Sequence, residues 1–244
     1  MSENSKVLPL PVTDQARRRK LLFIIIGAIV ALSVAAVLVL SFSPLLAARN
    51  ISVTGTKLVS EKQLTEKLQT LQGVPLPRIS EGRVSDLIGD QPAIKELVVR
   101  AQMPDTLVVE VVEQVPVAIL VEGKTRYLVS SEGDKLKKLG KKDKTKLPTV
   151  KLSDEAKSPE SFALLTEVLA TVDEKVLAQS SAATVTKAGF VELQLPKKRV
   201  LVWGDGSDAA LKNKVAAIFL KDLKENNDAP KSIDISNPES PVTY

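Results

Sequence analysis

Residues Leu21 to Phe42 form a run of 22 residues without one charged side chain, built almost entirely from Leu, Ile, Val, Ala and Phe. A helix rises about 1.5 Å per residue, so the run would span about 33 Å, which matches the roughly 30 Å hydrocarbon core of a bilayer. Arg17, Arg18, Arg19 and Lys20 stand immediately before it, whereas the first charge after it is Arg49. This asymmetry predicts a single-pass protein with a cytoplasmic N-terminus and most of its mass on the far side of the plasma (inner) membrane. A cleaved secretory signal fits poorly, because its apolar region runs only about 7–15 residues and ends at small residues. The nearest such site, Leu46-Ala47-Ala48, begins with a bulky Leu.

Composition narrows what the remainder can do. The formal charge is +5. Residues 1–48 carry five positive and two negative side chains, a share of +3 that leaves +2 for the other 196 residues. The basicity is therefore mostly a topology signal, and with aromatics at only 3% no nucleic-acid-binding face is expected. The chain has neither cysteine nor histidine. That excludes disulfides, thiolate chemistry, Cys/His zinc sites and histidine acid–base catalysis, so the extracytoplasmic part must be stabilised by its core. No cofactor or metal is expected.

Residues 1–20, polar and containing Pro9 and Pro11, are expected to form an unfolded tail, and after the apolar run the hydrophobic pattern changes several times. Ile51-Ser52-Val53-Thr54-Gly55 alternates like a short strand ending in a turn. Ser60 then offers an N-cap to a helix with Leu64, Leu68 and Leu71 on one face, and a second helix is predicted over Glu81–Ile88 with Val84, Leu87 and Ile88 inward. The β-branched segments Ile94–Ala101 and Thr106–Val112 flank Met103-Pro104-Asp105 and read as a hairpin. The order strand, helix, helix, strand, strand gives a small α+β unit with both helices on one face of a three-stranded sheet.

Beyond Pro116 a second unit begins. Val117–Val121 and Arg126–Val129 read as a strand pair turning at Gly123, followed by a lysine-rich stretch, Lys135 to Lys146, expected to be a solvated loop. A helix over Ser161–Leu177 presents Phe162, Leu165, Leu169, Val172 and Val176 to a sheet of Ala183–Thr186, Phe190–Leu195 and Arg199–Trp203. Asp208 is a candidate cap for a last helix with Leu211, Val215, Ile218 and Leu223 inward. The chain then runs through Ile233-Asp234-Ile235 and an Asn237-Pro238 turn to Pro241–Tyr244. Trp203 reads as a core residue.

In order and spacing these segments resemble the bacterial cell-division family FtsQ, called DivIB in Gram-positive organisms. The resemblance rests on Ile51-x-Val53-x-Gly55, Val59-Ser60, Met103-Pro104-Asp105-Thr106-Leu107 and, most specifically, Val111-Val112-Glu113-x-x-Pro116-Val117-Ala118. Leu128-Val129-x-x-x-Gly133, Leu147-Pro148, Val202-x-Gly204, Lys214 and Ile233-Asp234-Ile235 continue it. One departure is Ser130 where the family has an Asp, which predicts a looser turn.

The resemblance implies a cytoplasmic tail (1–20), a transmembrane helix (21–43), a POTRA domain (49–116) and a mixed α/β "β domain" (117–244) with an open C-terminal sheet edge. It further implies a divisome scaffold enriched at the septum, one that brings FtsB- and FtsL-type partners together and helps control the septal wall synthases. The partner FtsB would add a strand along Ser232, Ile233, Ile235, Val242, Thr243 and Tyr244. The alternative is a single-POTRA chaperone of envelope assembly, which predicts tandem POTRA repeats or a barrel pattern.

Catalytic signatures are missing from the sequence: it has no S-x-x-K, no G-x-S-x-G and no P-loop. Carboxylate pairs such as Asp154-Glu155 and Asp173-Glu174 read as solvated surface. Lys137, Lys138, Lys141 and Lys142 are candidates for contact with an anionic surface, lipid or wall polymer. A solvated charge run is the simpler reading of the same residues.

Overall fold

The computed structural model describes residues 14–42, 44–151, 158–225 and 230–244. Its first element, α1 (Asp14–Phe42), contains a stretch, Arg17–Val39, long and apolar enough to cross a membrane and uncovered by the rest of the protein. The tail differs from expectation in that residues 14–20 are helical. Extending an existing helix costs far less than nucleating one, and Gln15-Ala16-Arg17-Arg18-Arg19-Lys20 are good helix formers. Residues 1–13 and Ser43 lie outside the described residues.

The first globular unit comprises β1 (Asn50–Thr54), α2 (Glu61–Leu68), α3 (Glu81–Ile88), β2 (Ile94–Gln102) and β3 (Thr106–Glu113). The sheet order is β1-β3-β2, with β1 parallel to β3 and β2 antiparallel to it. Alternation in β3 sends Leu107, Val109 and Val111 inward, where they meet Leu64, Leu68, Leu71, Val84 and Ile88 from the helices. Ser80 caps α3 by accepting the Arg83 N–H at 3.3 Å. Ser60 occupies the cap position of α2 but makes no capping hydrogen bond. The N–H groups just before it are satisfied instead by Glu113, whose carboxylate accepts from Lys57 (2.9 Å), Leu58 (2.7 Å) and Val59 (2.8 Å).

The second unit is a nine-stranded sheet built from β4 (Ala118–Glu122), β5 (Thr125–Val129), β6 (Lys135–Leu139), β7 (Thr149–Lys151), β8 (Ala182–Val185), β9 (Val191–Leu195), β10 (Arg199–Gly204), β11 (Ser232–Asp234) and β12 (Val242–Thr243). Their spatial order is β12-β11-β10-β9-β8-β7-β4-β5-β6. Helices α4 (Pro159–Ala170), α5 (Glu174–Leu177) and α6 (Ala209–Glu225) contribute the other half of the core, in which Leu165, Leu169 and Val176 pack with Leu193, Leu201 and Trp203. Both faces of β4 are covered. Ala118 and Leu120 enter that core, whereas Ile119 joins Leu128, Leu136, Leu139 and Ala93 in a smaller cluster against Leu58 and Val59 of the first unit. Apolar packing thus ties the two units together.

Four expectations need correction. The lysine stretch is not all loop: Lys135–Leu139 is edge strand β6, paired with β5, because Leu136 and Leu139 are buried in the junction cluster. The predicted helix 161–177 is two helices. Asp173 is the N-cap of α5 and accepts the Lys175 N–H at 2.8 Å, while Asn213 of α6 accepts the Asp173 N–H (2.7 Å) and donates to the Thr171 carbonyl (2.8 Å). On α6 the inward residues are Lys212, Ala216, Leu220 and Leu223, and of the predicted set Leu211 and Ile218 face solvent. Lastly, Ser130 is buried and its Oγ accepts the N–H groups of Glu132 (3.2 Å) and Asp134 (3.1 Å), so a Ser holds this turn as an Asp would.

Candidate partner-binding edge

β11 and β12 close one side of the large sheet. β11 runs parallel to β10, with Ile233 opposite Leu201, and β12 runs antiparallel to β11, with Thr243 opposite Ile233 and Val242 opposite Asp234. The Tyr244 N–H donates to the Ser232 carbonyl at 2.9 Å, and the Ser232 N–H donates back to the Tyr244 carbonyl at 3.1 Å. Ser232 and Tyr244 are therefore a hydrogen-bonded pair, and antiparallel alternation turns the N–H and C=O of Thr243 away from β11. An incoming strand would meet those groups first.

The side chains named from the sequence divide into two sets. Val242 (44% exposed), Thr243 and Tyr244 (74% exposed) lie open at the edge, and Ser232 is half-buried. Ile233 and Ile235 are fully buried among Leu201, Trp203 and their neighbours. They position the edge from behind and offer a partner no side-chain surface. Val242 and Tyr244, two residues apart, share one face of β12.

The turn that delivers β12 is fixed by contacts the sequence reading missed. Asp234 accepts the Ser236 N–H at 2.9 Å, and Asn237 accepts the Glu239 N–H at 3.2 Å. Gly204, at φ +82°, lets the end of β10 approach so closely that an added Cβ would lie 2.8 Å from the Ser236 Cβ. Beside it, the fully buried Lys212 donates from Nζ to the Asp205 carbonyl (3.1 Å) and to its carboxylate (3.0 Å). Hydrogen bonds from the Ser207 hydroxyl and from Lys212 hold the Asp205 carboxyl at about 2, below its usual 3.8. The Trp203-Gly204-Asp205-Gly206 turn hinted at this place. A lysine on the inner face of α6 carried no such signal, since lysine is ordinarily exposed.

The lysine candidates are not near this edge. Lys137 and Lys138 are exposed on β6, with Lys141 and Lys142 just beyond it, at the opposite side of the sheet. Eight strand spacings separate the two edges, about 38 Å. Lys135 pairs with Glu122 at 2.7 Å and lies over the Tyr127 ring, 5.0 Å from its centroid. Leu136 and Leu139 pack by Leu58, Val59 and Ala93, at the Glu113 end of the first sheet. The chain leaves α1 at the other end of that sheet, beside Asn50, and the eight residues of β3 between them span about 27 Å.

The chain thus combines a helix fit to cross a membrane, a strand-helix-helix-strand-strand unit and a larger sheet with an exposed terminal strand. Residues 46–114 match the POTRA domain of FtsQ type. Proteins named cell division protein FtsQ are similar to the chain. In Mycobacteroides abscessus the identity is 23% over 91% of this chain and 68% of that protein, and in Mycobacterium tuberculosis 23% over 84% and 63%. In Streptomyces griseus it is 24% over 79% and 94%. The chain thus spans about two thirds of the length of the mycobacterial relatives. Over most of its length the chain is thus similar to proteins named FtsQ, and its residues 46–114 match the FtsQ-type POTRA domain.

Proposed function

We propose that the chain is a bitopic scaffold of the cell-division machinery, acting by tethering and recognition and making or breaking no bonds itself. The names of its relatives support the division role. In this reading residues 1–20 are cytoplasmic, 21–43 cross the plasma membrane, and the POTRA unit (49–116) and β domain (117–244) work outside it at the septum. The observation that carries the mechanism is the exposed two-residue strand β12, with the backbone of Thr243 directed outward and Val242 and Tyr244 open beside it. An FtsB-type partner adds a strand there, main chain to main chain, and Val242 and Tyr244 supply the side-chain contacts that select it. An FtsL-type protein joins through that partner, and the assembly controls the septal wall synthases.

Anchoring matters to such a mechanism. Partners held in the same membrane search a thin layer, so a short edge strand of modest intrinsic affinity still captures them. Replacing Val242 with Asp and Tyr244 with Lys is expected to weaken capture of the FtsB-type segment at least tenfold while the far-ultraviolet circular dichroism and melting temperature stay within error. Unchanged affinity would remove the edge from the mechanism. Fluorescent fusions spread evenly around dividing cells, instead of gathering at midcell, would contradict the division role.

A further inference from the structure

The large sheet ends in β12 on one side and in β6 on the other. Among the described residues β6 pairs with β5 alone. Its regular ladder sets Lys137, Lys138 and Leu139 opposite Leu128, Tyr127 and Arg126, and Leu136 is an extra residue where the register shifts. The strand is held from behind and at its end. Leu136 and Leu139 are buried in the junction cluster, and the Arg126 guanidinium donates to the Gly140 carbonyl at 2.7 Å. Opposite residues share a face, so Lys137 stands on the face of Leu128 and Lys138 on that of Tyr127, and both are exposed.

The charge on this edge is uncompensated. Seven of the twelve residues 135–146 are lysine and one, Asp143, is acidic. Asp143 accepts the Gly140 N–H at 2.5 Å, and Glu122 is engaged by Lys135 at 2.7 Å. Among the described residues Lys137 and Lys138 have no ion-pair partner. Lysines on an edge strand ordinarily keep other strands away. Here the exclusion depends on sequence: β6 of a second copy would set ammonium against ammonium, whereas a strand with acids at the facing positions would bring opposite charges within about 5 Å, one pair on each face of the sheet. We propose that β6 is a second strand-accepting edge, taking an extended segment of another protein with two consecutive Asp or Glu residues opposite Lys137 and Lys138. The unpaired N–H and C=O groups of the edge supply the main-chain bonds, and the two lysines choose the sequence. Lys141 and Lys142, just beyond the strand, add attraction at longer range and speed the encounter.

This edge acts independently of whatever β12 captures, and one titration separates the two. The probe is a fluorescent peptide of alternating Thr and Val with a central Glu-Glu pair, added to the full chain in phosphatidylcholine nanodiscs and followed by anisotropy. Saturable binding is expected. It should weaken at least tenfold when the central pair is Gln-Gln, and equally when Lys137→Thr is combined with Lys138→Thr, at unchanged melting temperature. Lys141→Thr with Lys142→Thr removes the same charge off the strand and is expected to weaken binding less than about threefold. Absence of binding overturns the proposal. So does an equal loss from the two double variants, or equal binding of the same peptide with proline at every second position, since the lysines would then attract acid as they would any anionic polymer or lipid. Thr243→Pro is expected to leave the titration unchanged. A loss there would place the probe at β12 and overturn the assignment to β6, while the function proposed above would stand.

Discussion

At the scale of single residues, Glu113 and Asp205 each hold a backbone or a charge that would otherwise lack a partner. Glu113 accepts three consecutive N–H groups from Lys57, Leu58 and Val59. Glu113→Ala leaves those donors to find water in a half-buried site, at an expected cost of about 1–3 kcal/mol, read as a lower urea midpoint. The Asp205–Lys212 pair is asymmetric, because Lys212 is fully buried and Asp205 is largely exposed. Asp205→Ala strands the ammonium and is expected to cost about 1–3 kcal/mol, whereas Lys212→Met replaces it with an apolar chain of similar volume and is expected to be nearly neutral. The Asp205 carboxyl, depressed to about 2 from 3.8, contributes stability that is present above pH 3.8 and is lost as pH falls toward 2. Urea midpoints across that window are expected to fall less steeply for Asp205→Asn than for the parent. Glu113 was legible as a motif residue without a role. Lys212 was illegible, because its burial follows from a partner on a preceding turn and not from its own chemistry.

Among the elements, those whose period matched their environment could be read from sequence alone. The run 81–88 gave α3 to the residue, and the alternation in β3 gave its inner face. The failures share a cause in contacts from distant parts of the chain. Val172 and Val176 keep helical spacing through the α4–α5 break, which Asn213 stabilises from 40 residues further along. Lys135–Leu139 has its leucines three apart, a spacing foreign to strands, and pairs with β5 because both leucines find the junction cluster. The C-terminal edge was legible as two short strands, but which of their side chains remain open was not, since Ile233 and Ile235 are covered by β10 and its neighbours. Proline is tolerated on an edge strand where the lost N–H faces solvent. Thr243→Pro should therefore leave the Ser232–Tyr244 pair and the fold intact, within about 1 kcal/mol by urea melting, while removing the one donor directed at an incoming strand.

At the scale of the whole molecule, short connections and packed junctions lead from α1 to β12. The chain beyond α1 is fastened to the POTRA unit at Ala47–Asn50, and that unit is joined to the large sheet by the cluster around Ile119, Leu128 and Ala93. Enlarging Ala93, which is 3% exposed, to Lys would force a charge into that junction. It is expected to lengthen and broaden the distances between spin labels on the two units, measured by pulsed electron resonance, with each unit still folded. In the strand capture proposed above, these junctions would hold β12 at a set distance from partners anchored in the same membrane. The most direct measurement of that capture is a titration of the FtsB-type segment into the full chain in nanodiscs, comparing parent and Thr243→Pro by calorimetry. Saturable binding to the parent, weakened at least tenfold by the proline at unchanged stability, is the expected result. Equal affinity for the two proteins would contradict strand addition at β12.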